Sequence, residues 1–124
     1  IFDPEKSLSL EGDSGPYLQY ALVRAKSILV QGTEAGDATP YAQETLARLI
    51  ARFPEVVVRA EALRAPHTLT QYLTQLAGEW NSFYARERIV GSEDEQAKLA
   101  LVRAFAVTME NGLRFLGIPA PEKL

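Results

Sequence analysis

Tyr17, Tyr20 and Arg24 stand at i, i+3 and i+7, a spacing that aligns them along one edge of an α-helix. Two phenols and a guanidinium in a row suit two jobs. They rim an apolar core, or they stack on a base and hold a phosphate. A tyrosine beside an apolar helix face is often a core residue whose hydroxyl reaches the surface, so both readings stand at this point.

Other chemistries find no constellation. His67 is the one histidine and there is no cysteine, which excludes Cys/His nucleophile pairs, thiolate metal sites and a disulfide framework. The sequence has no Walker-type loop and no dinucleotide glycine fingerprint. The nearest paired carboxylates, Glu11/Asp13 and Glu93/Asp94/Glu95, fall in a turn and at a helix start. Acids there are ordinarily solvated, or they favour the positive end of the helix dipole. Arg48 and Arg52, one turn apart, read first as a solvated face and only second as a phosphate contact.

The elements that must position Tyr17, Tyr20 and Arg24 are helical. Gly12, Ser14 and Gly15 make a turn into Pro16, which suits a helix start, with the Ser14 hydroxyl ahead of it as a cap. Leu18, Ala21, Leu22, Ala25, Ile28 and Leu29 then share one apolar face up to Gln31, and Gly32 is expected to supply a left-handed stop. Before this helix, Asp3 and Pro4 start a short segment that ends by Leu10. After it, residues 32–38 form a small polar loop and Thr39-Pro40 starts another helix.

Tyr41, Thr45, Leu46, Leu49, Ile50 and Phe53 keep helical spacing as far as Pro54, where a new first turn begins and runs to Arg64. Val56, Val57 and Val58 would also suit a strand, but no partner strand is visible. Pro66 opens the longest stripe, Leu69, Tyr72, Leu73, Leu76, Ala77, Trp80, Phe83 and Tyr84, spaced by threes and fours. Gly78 marks a soft spot or a close helix approach. Gly91 is expected to end this helix, and Ser92 with Glu95 reads as a capping box. The last helix, about Glu93 to Leu116, is apolar on several sides, as a helix wrapped by others must be. The pattern predicts an all-α fold: a single helical bundle of about five helices, with helices 66–90 and 93–116 antiparallel across Gly91-Ser92.

The 124 residues fit one domain able to bury a real core. At 47% hydrophobic and 23% charged, the composition is that of a soluble globular protein. No apolar run approaches a membrane span. The formal net charge of −3 argues against autonomous tight binding of nucleic acid, yet residues 38–92 carry six arginines against five glutamates. A domain tethered to a larger RNA-binding body need not supply the bulk attraction itself. Beginning at Ile1 without a signal segment, the chain reads as cut from something larger.

Three ordered blocks resemble a known family. The run Glu11-Gly12-Asp13-Ser14-Gly15-Pro16-Tyr17-Leu18-Gln19-Tyr20-Ala21, followed by Arg24, resembles the entry to the C-terminal, all-helical DALR anticodon-binding domain of arginyl-tRNA synthetases. One position departs: the family often has His where this chain has Leu22. Pro66-His67, Tyr72-Leu73, Leu76-Ala77, Asn81, Phe83-Tyr84 and Arg88 resemble the second block. Leu99-Ala100-Leu101-Val102-Arg103 resembles the core that helped name the domain, and Asn111-Gly112-Leu113 through Pro121-Glu122-Lys123-Leu124 resembles its close. The family commonly ends Pro-Glu-Arg-Met, so Lys123 keeps the cation and loses the bidentate guanidinium. Leu124 is read as at or near the native C-terminus.

The resemblance implies a domain over residues 1–124 that recognises the anticodon loop of arginine tRNA for a catalytic domain of the same polypeptide. Tyr17, Tyr20, Arg24, Asn81, Tyr84, Arg88 and Leu124 are the implied tRNA contacts, because unpaired bases are read by aromatic stacking and edge hydrogen bonds. The HIGH and KMSKS segments that bind ATP are missing. The fragment is therefore expected to be non-catalytic and to hold no cofactor, with ATP and Mg in the parent's catalytic domain. A cytoplasmic, monomeric parent without membrane attachment is implied. The competing reading is a stand-alone helical protein-interaction module that offers Trp80, Phe83 and Tyr84 to a partner helix.

Overall fold

The computed structural model describes residues 14–32 and 45–121, apart from the Ser14 side chain. Within them lie five helices and no strand: α1 (Ser14–Gln31), α2 (Thr45–Ala51), α3 (Phe53–Leu63), α4 (Pro66–Arg86) and α5 (Glu95–Leu116). The all-α bundle is as the periodicity requires, and the valine run is helical. The short segment at 2–10, the acids Glu11 and Asp13, the loop at 33–38, the Thr39-Pro40 start, Tyr41 and the terminal Leu124 lie outside the described residues.

Each helix buries the face that its spacing defines. Leu18, Ala21, Leu22, Ala25 and Ile28 of α1 are buried, with Leu29 packed at the margin. Leu22 is fully enclosed, so an aliphatic side chain meets no unsatisfied polar demand there. α4 buries Leu69, Tyr72, Leu73, Leu76, Ala77, Trp80 and Phe83. α5 packs against α1, α2 and α4, which is why it is apolar on more than one side.

The register of α4 on α5 follows from three contacts. A Cβ on Gly112 would stand 2.6 Å from Leu73 Cδ2, Trp80 stacks on Phe105 at 4.9 Å, and Glu87 pairs with Lys98 at 3.1 Å. Each seven-residue step forward, from Leu73 through Trp80 to Glu87 just past the end of α4, matches seven backward along α5. The two helices are therefore antiparallel, with one contact every second turn.

Prolines and left-handed caps set several boundaries. Pro54 and Pro66 lie in the first turns of α3 and α4, where a missing N–H breaks no helical bond. Pro16 sits in the first turn of α1, which begins two residues earlier, at Ser14. Gly117 has φ +75 and closes α5, while the Ile118 N–H returns 2.9 Å to the Leu113 carbonyl. Buried Ile118 seals the motif.

The structure corrects four boundary expectations. Gly32 is not left-handed; its backbone instead lies against Leu99, whose methyls would be 2.9 Å from an added Cβ. α4 stops at Arg86 rather than near Val90, because the chain turns extended at Glu87 and buries Ile89. Gly91 is left-handed (φ +85), but within the connection. No Ser92 capping box forms: Ser92 Oγ donates to the Ile89 carbonyl at 2.8 Å, and Glu95 accepts from the Gly91 N–H. Asp94 precedes the first turn of α5, and its carboxylate accepts no capping hydrogen bond.

One buried lysine holds that connection. Lys98 Nζ donates to the Arg88 carbonyl at 2.8 Å, and it pairs with Glu87 at 3.1 Å and Asp94 at 3.3 Å. Burial pulls its pKa down, but Glu87 and Asp94 more than offset this and raise it above the ordinary 10.5.

Candidate nucleic-acid interface

α1 lies along both α4 and α5. The edge of α1 that carries Tyr17, Tyr20 and Arg24 meets the flank of α4 that carries Asn81 and Tyr84. Two cross-helix contacts define the seam. Asn81 Nδ2 donates to Tyr17 Oη at 3.2 Å. The Arg24 guanidinium lies 4.6 Å from the Tyr84 ring centroid and 4.9 Å from that of Tyr20.

Arg24 therefore serves both rings at once. Its Nη2 also donates to Tyr20 Oη at 3.3 Å. The rings stay open to solvent, at 54% exposure for Tyr20, 42% for Tyr17 and 41% for Tyr84. A cation over an exposed ring contributes roughly 0.5–1 kcal/mol, enough to orient the three side chains before anything binds. Beneath them Trp80, fully buried, sits 5.8 Å from Tyr84 and stacks on Phe105 at an 11° interplanar angle. Tyr84 thus rests on a rigid aromatic floor. Alongside runs a groove of about 390 Å³, bordered by Tyr20, Arg24, Ser27, Ile28 and Tyr84.

This arrangement suits unpaired bases. It offers two solvent-facing rings, a guanidinium aligned between them, and an amide–phenol pair at one end. Among the described residues no group of three His, Cys, Asp or Glu side chains could hold a metal ion. No described helix is long and apolar enough to cross a membrane.

Of the seven expected contact residues, five meet on this seam: Tyr17, Tyr20, Arg24, Asn81 and Tyr84. Arg88 departs from its expected place one helical turn after Tyr84. The helix ends at Arg86, and the Arg88 guanidinium lies over Gly91, 3.2 Å from where a Cβ would stand. Leu124 lies outside the described residues. Trp80 and Phe83 are fully buried, which removes them as the contact surface of a partner-binding module. Trp80 lies buried in the α4 stripe where its spacing placed it, and only the competing reading offered it to a partner.

Comparison with known proteins settles the family. A profile described as the DALR anticodon binding domain matches residues 18–124. The chain belongs to that family. It is 43% identical to an arginine–tRNA ligase of Thermus thermophilus over 98% of its own length and 23% of the relative's. With an arginine–tRNA ligase of Lactiplantibacillus plantarum it shares 37% identity, over 99% of this chain and 23% of the other. A solved Thermus thermophilus arginyl-tRNA synthetase superposes with a TM-score of 0.79 at 40% identity, over 94% of this chain and 22% of that one. The chain thus spans about a quarter of the length of the relatives it matches.

Proposed function

We propose that this chain is the anticodon-loop-binding domain of an arginine–tRNA ligase, positioning arginine tRNA for a catalytic domain elsewhere in a longer polypeptide. The observation that carries the reading is the Arg24 guanidinium placed over both Tyr20 and Tyr84, in a chain of the anticodon-binding family. Tyr20 and Tyr84 supply stacking faces, and Arg24 orients them and faces the backbone phosphate. Tyr17 and Asn81 read an edge at the end of the seam. Leu124 stays in the site on the family resemblance alone.

The fragment itself does no chemistry on this reading. It takes no cofactor, and ATP and Mg belong to the parent's catalytic domain. The parent is a cytoplasmic monomer. Relatives four times as long as this chain, each described as an arginine–tRNA ligase, support the division of labour.

The test uses the full-length protein. Tyr20→Ala or Tyr84→Ala should weaken tRNA binding by roughly 1–3 kcal/mol, the usual value of one base–aromatic stack. Tyr→Phe should cost less, and arginine and ATP affinities should not move. Unchanged tRNA affinity in both alanine variants would refute the assignment.

A further inference from the structure

A second pocket lies on the opposite flank of α4, between it and α3. Thr68, Gln71 and Gln75 lie on one side of α4, at i, i+3 and i+7. Arg52 and Arg59, seven apart at the start and middle of α3, face them across a polar pocket of about 210 Å³. Tyr72 forms part of the wall, but its hydroxyl is committed to the Leu49 carbonyl at 2.6 Å and its ring is buried. The pocket therefore presents guanidiniums, amides, a hydroxyl and one carboxylate, with no open aromatic face.

We infer that this pocket holds a phosphodiester of the RNA backbone, a contact separate from the base-reading seam. The inference rests on the tRNA-binding reading above. Guanidinium forks and side-chain amides are what position a protein on phosphates without reading sequence. The pocket falls within residues 38–92, the one stretch where basic residues outnumber acidic ones. Arg59 is exposed and holds no ion pair with a described residue.

Glu55 is the one carboxylate in the pocket, pairing with Arg52 at 3.4 Å. Both side chains are more than half exposed, at 56% and 69%. Such a screened surface pair yields readily to a stronger ligand. Along α4, the midpoint of Gln71 and Gln75 lies roughly 17 Å from Tyr84 at 1.5 Å per residue, within the span of one folded RNA.

Salt dependence separates the two sites. Tyr20→Ala should weaken tRNA binding by the full-length protein without altering the slope of log K against log salt. Arg59→Ala should weaken it about fivefold for every anticodon and flatten that slope by about one phosphate's share, roughly 0.7–0.9. Gln71→Glu, which adds a carboxylate to the pocket, should do the same more strongly. Far-UV circular dichroism and melting of these exposed-site variants should match the parent. If Tyr20→Ala weakens binding while the pocket variants leave the slope unchanged, the pocket is refuted and the anticodon reading stands. An inorganic-phosphate titration that perturbs the pocket in that case would identify a free-anion site instead. If neither these three variants nor Tyr84→Ala weakens binding, both readings fall.

Discussion

Replacing Lys98 by Met keeps the aliphatic stem and removes only the ammonium. Three interactions go with it: the donation to the Arg88 carbonyl and the pairs with Glu87 and Asp94. A hydrogen bond to a charged group is worth about 1.5–3 kcal/mol, and breaking a fully buried pair costs about 3–5 kcal/mol. Here the lysine is 8% exposed, but Glu87 is 29% and Asp94 49% exposed, so water can take up much of what the carboxylates lose. A net loss of about 2–3 kcal/mol is expected after that discount. Urea unfolding of the 124-residue chain followed by circular dichroism measures it. Combining Lys98→Met with Glu87→Gln should cost less than the two single losses added, since they share a contact.

The pH dependence gives an independent check with a fixed sign. The folded pKa of Lys98 is raised above 10.5. Its stabilisation is therefore complete below 10.5 and fades as pH climbs through the higher folded value. Lys98→Met should abolish that component of the alkaline loss. A variant within about 0.5 kcal/mol of the parent at neutral pH, with the same alkaline profile, would refute the claim that Lys98 holds the connection between α4 and α5.

Two further predictions concern packing. At Gly112 an added Cβ would stand 2.6 Å from Cδ2 of fully buried Leu73. Gly112→Ala should therefore destabilise by about 1–2 kcal/mol, overpacking exceeding the gain in helix propensity. Gly78 meets only the Tyr17 hydroxyl, at 4.0 Å, so Gly78→Ala should stabilise by about 0.5–1 kcal/mol; equal and same-signed urea midpoint shifts for the pair would contradict this. Tyr72→Phe removes a buried 2.6 Å hydrogen bond and leaves the Leu49 carbonyl to the Arg52 N–H at 3.1 Å. It should cost about 0.5–1.5 kcal/mol, read as an earlier urea midpoint with unchanged slope.

Much of the fold was legible because helices declare themselves locally. The 3.6-residue stripes of α1 and α4 and the prolines before α3 and α4 need only near neighbours to take effect. The misplaced boundaries share one cause. Helix propensity favours continuing α4 past Arg86, but burying Ile89 and bringing the Arg88 carbonyl to Lys98 pull the chain out of the helix. Gly32 departs from the expected left-handed stop for a related reason: its missing side chain answers to Leu99, 67 positions further along the sequence.

The candidate site divides in the same way. The sequence by itself determined the edge of α1 that carries Tyr17, Tyr20 and Arg24, because residues at i, i+3 and i+7 must share a helix edge. Family motifs added Asn81 and Tyr84. Only the tertiary structure decided that the Arg24 guanidinium spans the Tyr20 and Tyr84 rings, 64 residues apart in sequence and on two helices. That contact depends on how α1 docks on α4, which the buried faces on the other sides of both helices set. Packing of α4 on α5 turned Trp80 and Phe83 inward, and packing of α3 on the far flank of α4 brought Arg52 and Arg59 opposite Gln71 and Gln75. Burial fixes side-chain neighbours across distances at which sequence spacing carries no geometric information.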